Sequence, residues 1–155
     1  MDAIKLLKKD HRDVDALFKE VHALSDTASA SRKKLFDAIA QALELHTRAE
    51  EEILYPAVKD AARRDKEAKQ EVLKAYEEHD NVKGMIEKLR ATDAKDETYK
   101  AKLQVLEELV KHHVKEEERE FFPSARDLLG DDVMEELGAE IERMKGASNG
   151  TRTHR

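Results

Sequence analysis

Leu45-His46-Thr47-Arg48-Ala49-Glu50-Glu51-Glu52-Ile53-Leu54-Tyr55-Pro56 recurs, 67 residues further on, as His112-His113-Val114-Lys115-Glu116-Glu117-Glu118-Arg119-Glu120-Phe121-Phe122-Pro123. His46 aligns with His113, Glu50 with Glu117 and Pro56 with Pro123. A histidine four residues ahead of an acid means little by itself in this chain, because His11 precedes Asp15, His22 precedes Asp26 and His112 precedes Glu116 in the same way. Recurrence in register, closed both times by an aromatic residue and a proline, is a different matter. His11 and His79 correspond with a spacing of 68, each about one turn into an apolar face. The chain therefore reads as two copies of a helical hairpin. Their pairing predicts an all-α fold: an antiparallel up-down four-helix bundle in which every helix brings one histidine to a common core.

Apolar spacing outside the repeat agrees. Ile4, Leu7, His11, Val14, Leu17, Phe18 and Val21 trace one face of a first helix over about Asp2 to Leu24. After the breaking stretch Ser25 to Ser29, a second helix is expected from a Ser31 N-cap, carrying Leu35, Phe36, Ile39, Leu43, His46, Glu50 and Ile53 inward until Pro56 bends it. The third, about Lys66 to Arg90, turns Val72, Leu73, Tyr76, His79, Val82, Ile86 and Leu89 inward. The fourth starts after an Asp96 cap and runs through His113 and Glu117 to Pro123. A short fifth helix opens at Asp131 or Asp132, uses Val133, Leu137, Ile141 and Met144, and ends by Gly146. The expected organisation is one domain, residues 1–146, followed by a disordered tail, 147–155.

Composition narrows the function classes. Charged residues make up 41% and aromatics 5%, a balance that suits long amphipathic helices better than a sheet. The net charge of −6, with no basic stripe, argues against a nucleic-acid partner. No stretch has the length and apolarity of a signal peptide or a membrane span, so the expectation is a soluble cytoplasmic protein with no membrane partner. Absence of cysteine excludes disulfides, thiolate catalysis and Zn–Cys sites, leaving histidine, carboxylate and phenolate as metal donors.

In the two proline-terminated helices, histidine and glutamate at i and i+4 share a face about 6 Å apart along the axis. Both can reach one metal, or the glutamate can span two. Imidazole with carboxylate suits iron, manganese and zinc, chosen by geometry. Taken singly, each histidine fits the role of a core histidine bonded to a carbonyl. Four at comparable depth, placed by symmetry, fit it poorly, because every buried imidazole needs a partner. Of the acidic runs only Glu50 and Glu117 align with His46 and His113, and the other acids read as a solvated face. His22 lies about 16 Å along the helix from His11 and is assigned a structural role. His112 is rotated to a flank, and His154 belongs to the tail. No Glu-x-x-His pair of the ferritin-like di-iron bundles, no zinc-protease motif, phosphate loop or nucleophile elbow is present.

With the Asp10-His11 opening, the two His-x-x-x-Glu…Pro segments and the central His79, the sequence resembles the hemerythrin-like, or HHE cation-binding, domain family over about residues 1 to 125. The resemblance implies an oxo- or hydroxo-bridged non-haem centre of two iron ions, with His11, His46, His79 and His113 as terminal ligands and Glu50 and Glu117 bridging. One departure stands out. The oxygen carriers of the family have a fifth histidine one turn beyond the counterpart of His79, where this chain has Lys83. Tyr55, Tyr76 and, more weakly, Asp15 are candidates for the vacant position, and a core role for each tyrosine is the alternative. Three functions follow from the resemblance and the gap. A reduced iron pair would act on a small diatomic or peroxide partner, with catalase- or peroxidase-like decomposition favoured over oxygen carriage. A non-catalytic protein would bind, store or sense oxygen, nitric oxide or iron. A metal-free module would dock a protein partner, otherwise unknown, through the fifth helix.

Overall fold

The structure is a computed structural model that describes residues 1–153, with side chains through residue 148. All regular elements among the described residues are helical. They are α1 (Ala3–His22), α2 (Ser29–Ala49), a π-helical turn (Glu50–Leu54), α3 (Tyr55–Ala61), α4 (Lys66–Arg90), α5 (Tyr99–Glu116), a second π turn (Glu117–Phe121) and α6 (Phe122–Thr153). Each π turn joins its neighbours into one continuous rod, so four long helices dominate.

Local chemistry sets the ends. Asp2 caps α1 by accepting from the Lys5 amide, and Asp65 caps α4 by accepting from Ala68. Two sequence expectations are corrected. Helix α2 begins at Ser29 with no side-chain cap, leaving the expected cap Ser31 inside its first turn. Asp96 instead closes a turn, its carboxylate accepting from the amide and hydroxyl of Thr98 just before α5.

The two prolines act through the π turns. Proline lacks an amide and crowds the carbonyl four residues back. Before Pro56 the Tyr55 amide bonds the Glu50 carbonyl five residues back, and before Pro123 the Phe122 amide bonds that of Glu117. The wider turn absorbs the clash and admits one extra residue. It also shifts the inward face by one position. Leu54 is fully buried and Ile53, expected inside, is only half-buried. Leu73 is a further correction: it is exposed, and Ala75 occupies the core beside Val72.

Gly130, with φ of 82°, breaks α6 where the fifth helix was expected to begin. Beyond it the arm inserts Met134, Leu137 and Ile141 into the cluster that holds Ala3, Ile4 and Leu7 of α1. Gly138 makes room, because a Cβ there would run into the main chain of Met1 and Asp2. The segment from 147, expected as a disordered tail, continues as helix to Thr153, while His154 and Arg155 lie outside the described residues.

The core divides into two apolar clusters. One gathers Ile4, Leu7, Leu54, Tyr55, Val72 and Phe121; the other gathers Val14, Phe18, Ile39, Leu43, Val82 and Val110. Between Leu7 and Val14 on α1, and at the matching depth on the other helices, lies a polar layer.

Candidate metal centre

His11, His46, His79 and His113, with Glu50 and Glu117, form that layer, and all six are buried; Glu50 is 0% and Glu117 2% exposed. Full burial of two carboxylates in an apolar core is costly unless positive charge or donors meet them. The imidazoles face them. Glu50 Oε1 lies 3.0 Å from His46 Nε2 and 3.1 Å from His79 Nε2. Glu117 lies 3.1 Å from His11 Nε2 through Oε1 and 3.4 Å from His113 Nε2 through Oε2. Each glutamate thus touches one histidine from each hairpin. Two groups result in which one donor atom per residue converges within 4.8 Å: His11, His46 and Glu117, and Glu50, His79 and His113.

The opposite ring edges are equally ordered. Nδ1 of His46 donates to Asp10 at 2.8 Å, His79 to Glu51 at 2.6 Å, His113 to Glu78 at 2.8 Å and His11 to Glu118 at 2.6 Å. An ionised carboxylate can only accept, so these contacts place a proton on Nδ1 and leave Nε2 as the inward-facing atom. Carboxylate–imidazole pairs of this kind orient and strengthen metal-ligating histidines. Each carboxylate serves a histidine on another helix, and the four contacts close a ring around the layer. The sequence reading places Glu51 and Glu118 on a solvated face, uses Asp10 only in the Asp10-His11 opening and assigns no role to Glu78. The available signal was the acid directly before His11 and His79, and the one directly after Glu50 and Glu117.

Protein groups alone do not satisfy the layer. Nε2 of His11, His46 and His113, Oε2 of Glu50 and Oε1 of Glu117 are buried without a hydrogen-bond partner. Orphaned buried groups each cost about 1–3 kcal/mol, so several aimed at one volume fit a site for a cation. For His46, burial favours the neutral ring, but the Glu50 charge and the Asp10 contact outweigh it and push the pKa up to about 10. In His113 burial is likewise overcome, by Glu117 and Glu78, and the pKa rises to about 11. Burial opposes ionisation of Glu117 too, yet hydrogen bonding and the facing histidines hold its pKa well below the usual carboxylate value.

Tyr55 turns inward to this layer. On a straight helix it would stand about 180° from His46, but the extra residue in the π turn brings it back to roughly 80°. It does so with ordinary helical angles, φ −62° and ψ −42°, and not by the extended geometry expected before a proline. Its hydroxyl donates to Glu117 Oε2 at 2.7 Å and lies 3.2 Å from His79 Nε2. Burial and the two glutamates raise its pKa well above the ordinary value.

The other candidates fall elsewhere. Tyr76 packs edge-on against Tyr55 and donates to the Glu51 carbonyl, outside the layer. Asp15 is on the surface and pairs with Lys19. Lys83 points outward to Glu51, 3.2 Å from both oxygens. His22 pairs with Glu107, and His112 is exposed near Glu78 and Glu116.

A cavity of about 20 Å³ adjoins the layer, walled by Val14, Leu43, Thr47, Val82, Val110 and Val114 above the four histidines. That is room for about one water-sized molecule.

An all-helical core with a buried, carboxylate-backed histidine layer is an arrangement that could hold cations. The chain belongs to the hemerythrin HHE cation-binding domain family, whose pattern it matches over residues 2–125. A crystal structure of an HHE cation-binding domain-containing protein from Mycobacterium kansasii is similar, with a TM-score of 0.78 and 26% identity over 95% of this chain and 89% of that one. An uncharacterized protein of Mycobacterium tuberculosis is 27% identical over 95% of this chain and 89% of its own length. A Nostoc protein named as a DNA nickase is also 27% identical, over 94% of this chain, but the chain spans only 39% of that protein's length. No helix among the described residues is long and apolar enough to cross a membrane.

Proposed function

We propose that this chain is a non-haem di-iron protein, an antiparallel up-down four-helix bundle with a fifth helix, that acts on or senses small oxidants, peroxide above all. The observation that carries the reading is the placing of Glu50 and Glu117, each between one histidine of either hairpin, with unpartnered Nε2 and carboxylate atoms facing one another. Six such donors would suit two ions. His11, His46 and Glu117 would hold one, and Glu50, His79 and His113 the other. When bound, an iron pair supplies two electrons to an oxidant.

The chain's own groups define the rest. The cavity beside the layer, walled largely by valine and leucine, leaves room for a small molecule only. Tyr55 keeps its proton at the hydroxyl beside Glu117, as a proton source or as a further donor once that proton leaves. Lys83, engaged by Glu51, does not replace the missing histidine, which favours peroxide disproportionation over reversible oxygen carriage. In that reaction one peroxide is oxidised to O₂ as another is reduced to water. The nicking activity named for the Nostoc relative is not carried over, since the acidic chain lacks a basic stripe. A cytoplasmic setting is part of this proposal.

Metal analysis of the purified protein is expected to give about two irons per chain with near-ultraviolet oxo-bridge absorption, and added peroxide should release O₂. His46→Ala, His113→Ala, Glu50→Ala and Glu117→Ala should each lose one or both irons with helicity retained, while His112→Ala should not. A colourless, metal-free protein whose stability ignores these changes would overturn the reading.

A further inference from the structure

The arm of α6 beyond Gly130 lies outside the residues that match the family pattern, yet it reaches the metal layer. Lys145 Nζ sits 2.5 Å from Asp10 Oδ1 and 2.6 Å from Oδ2, gripping both oxygens of the carboxylate whose Oδ2 also accepts from His46 Nδ1. The docking of the arm explains how it gets there. Ile141, fully buried in the cluster that contains Leu7, is one turn before Lys145, and Leu7 is one turn before Asp10. Close approach of the Met1–Asp2 main chain at Gly138 fixes the arm's height along α1.

The pair is sheltered. Lys145 and Asp10 side chains are 19% and 18% exposed, whereas Lys83, which reaches His79 through Glu51 in the same manner, is 48% exposed and sits at 3.2 Å. A sheltered forked contact is screened less by solvent than a surface pair and holds its carboxylate more rigidly. Asp10 in turn determines the ring plane and tautomer of His46, and hence where its Nε2 lone pair points.

We propose that Lys145 is a positioning residue for the cation held by His11, His46 and Glu117, acting through Asp10, so that the C-terminal arm is a working part of one of the two metal positions. The two positions then differ in their backing: the ammonium behind His46 comes from the sheltered arm, whereas Lys83, behind His79, is largely exposed. Without the ammonium, Asp10 is free to swing towards solvent, and His46 loses its fixed orientation. The inference rests on the metal-binding reading above.

Full-length protein titrated with zinc, a redox-silent and diamagnetic probe, against a competing chelator tests it. Wild-type protein should take up two ions. Lys145→Met should weaken one of them on the order of tenfold and shift or broaden the His46 Nδ1–H proton resonance of the loaded protein. Lys145→Arg should restore both properties, because the guanidinium can also grip both Asp10 oxygens. Lys83→Met removes the same charge from the Glu51 side and should leave the His46 resonance in place. If Lys145→Met binds both ions with wild-type affinity and an unchanged His46 resonance, Lys145 is only a docking contact and the inference is wrong. Wild-type protein that binds no zinc under these conditions would overturn the metal-binding reading itself.

Discussion

Tyr55→Phe isolates the group whose inward position the π turn creates. In the metal-free protein the phenol donates to Glu117 Oε2 at 2.7 Å inside a fully buried site. The phenylalanine ring fills nearly the same volume, so the apolar packing against Tyr76 and Phe121 is retained. What is lost is a buried hydrogen bond to a charged acceptor, about 1.5–3 kcal/mol. For a domain of this size each kcal/mol corresponds to about 2–4 °C, so Tm should fall by roughly 3–12 °C. The assay is thermal unfolding followed by circular dichroism in the presence of a chelator. Loading with metal should change the outcome, because a cation then partners Glu117 and the hydrogen-bond loss shrinks. If the phenol also donates to the ion at Glu50, His79 and His113, the variant should bind that ion on the order of tenfold more weakly and lose any visible phenolate-to-iron absorption. A metal-free Tm within about 1 °C of wild type would refute the assignment of Tyr55 as the donor to Glu117.

Three further outcomes are expected. The histidines with raised pKa, His46 to about 10 and His113 to about 11, favour the folded metal-free state most fully below their ordinary value of 6.5. That contribution is lost as pH rises through those values, whereas Glu117, with a lowered pKa, contributes above its ordinary 4.5 and is lost as pH falls. Urea midpoints of the metal-free protein should therefore peak between those ordinary values; a midpoint still rising at pH 9 would contradict the assignment. Metal loading at pH 8 should expel about two protons per chain, chiefly from His46 and His113, measurable by pH-stat titration. Gly138→Ala should destabilise by about 1–3 kcal/mol through the clash with the Met1–Asp2 main chain, read as a lowered urea midpoint with unchanged slope.

Much of this molecule was written in one dimension. The repeat of His46, Glu50 and Pro56 at His113, Glu117 and Pro123, with apolar residues every three or four positions, determined an all-helical chain and picked out the six residues of the buried layer. Those features are periodic along a single helix, so spacing reveals them. The π turns were only half legible: the prolines marked a disturbance, but whether a helix bends, stops or widens depends on what the neighbouring helices pack against it. That choice placed Leu54 and Tyr55 inside. It also separated Tyr55 from Tyr76, which spacing could not do, since an angle computed on a straight helix fails after one added residue. The ring of contacts from Asp10 to His46, Glu51 to His79, Glu78 to His113 and Glu118 to His11 belongs wholly to the tertiary structure. Each link joins side chains on different helices, so the acid that orients a histidine is never the one at helical spacing from it. Lys145 is the extreme case, 135 residues from Asp10 in the chain and in contact with it only because Met134, Leu137 and Ile141 bury the arm against α1.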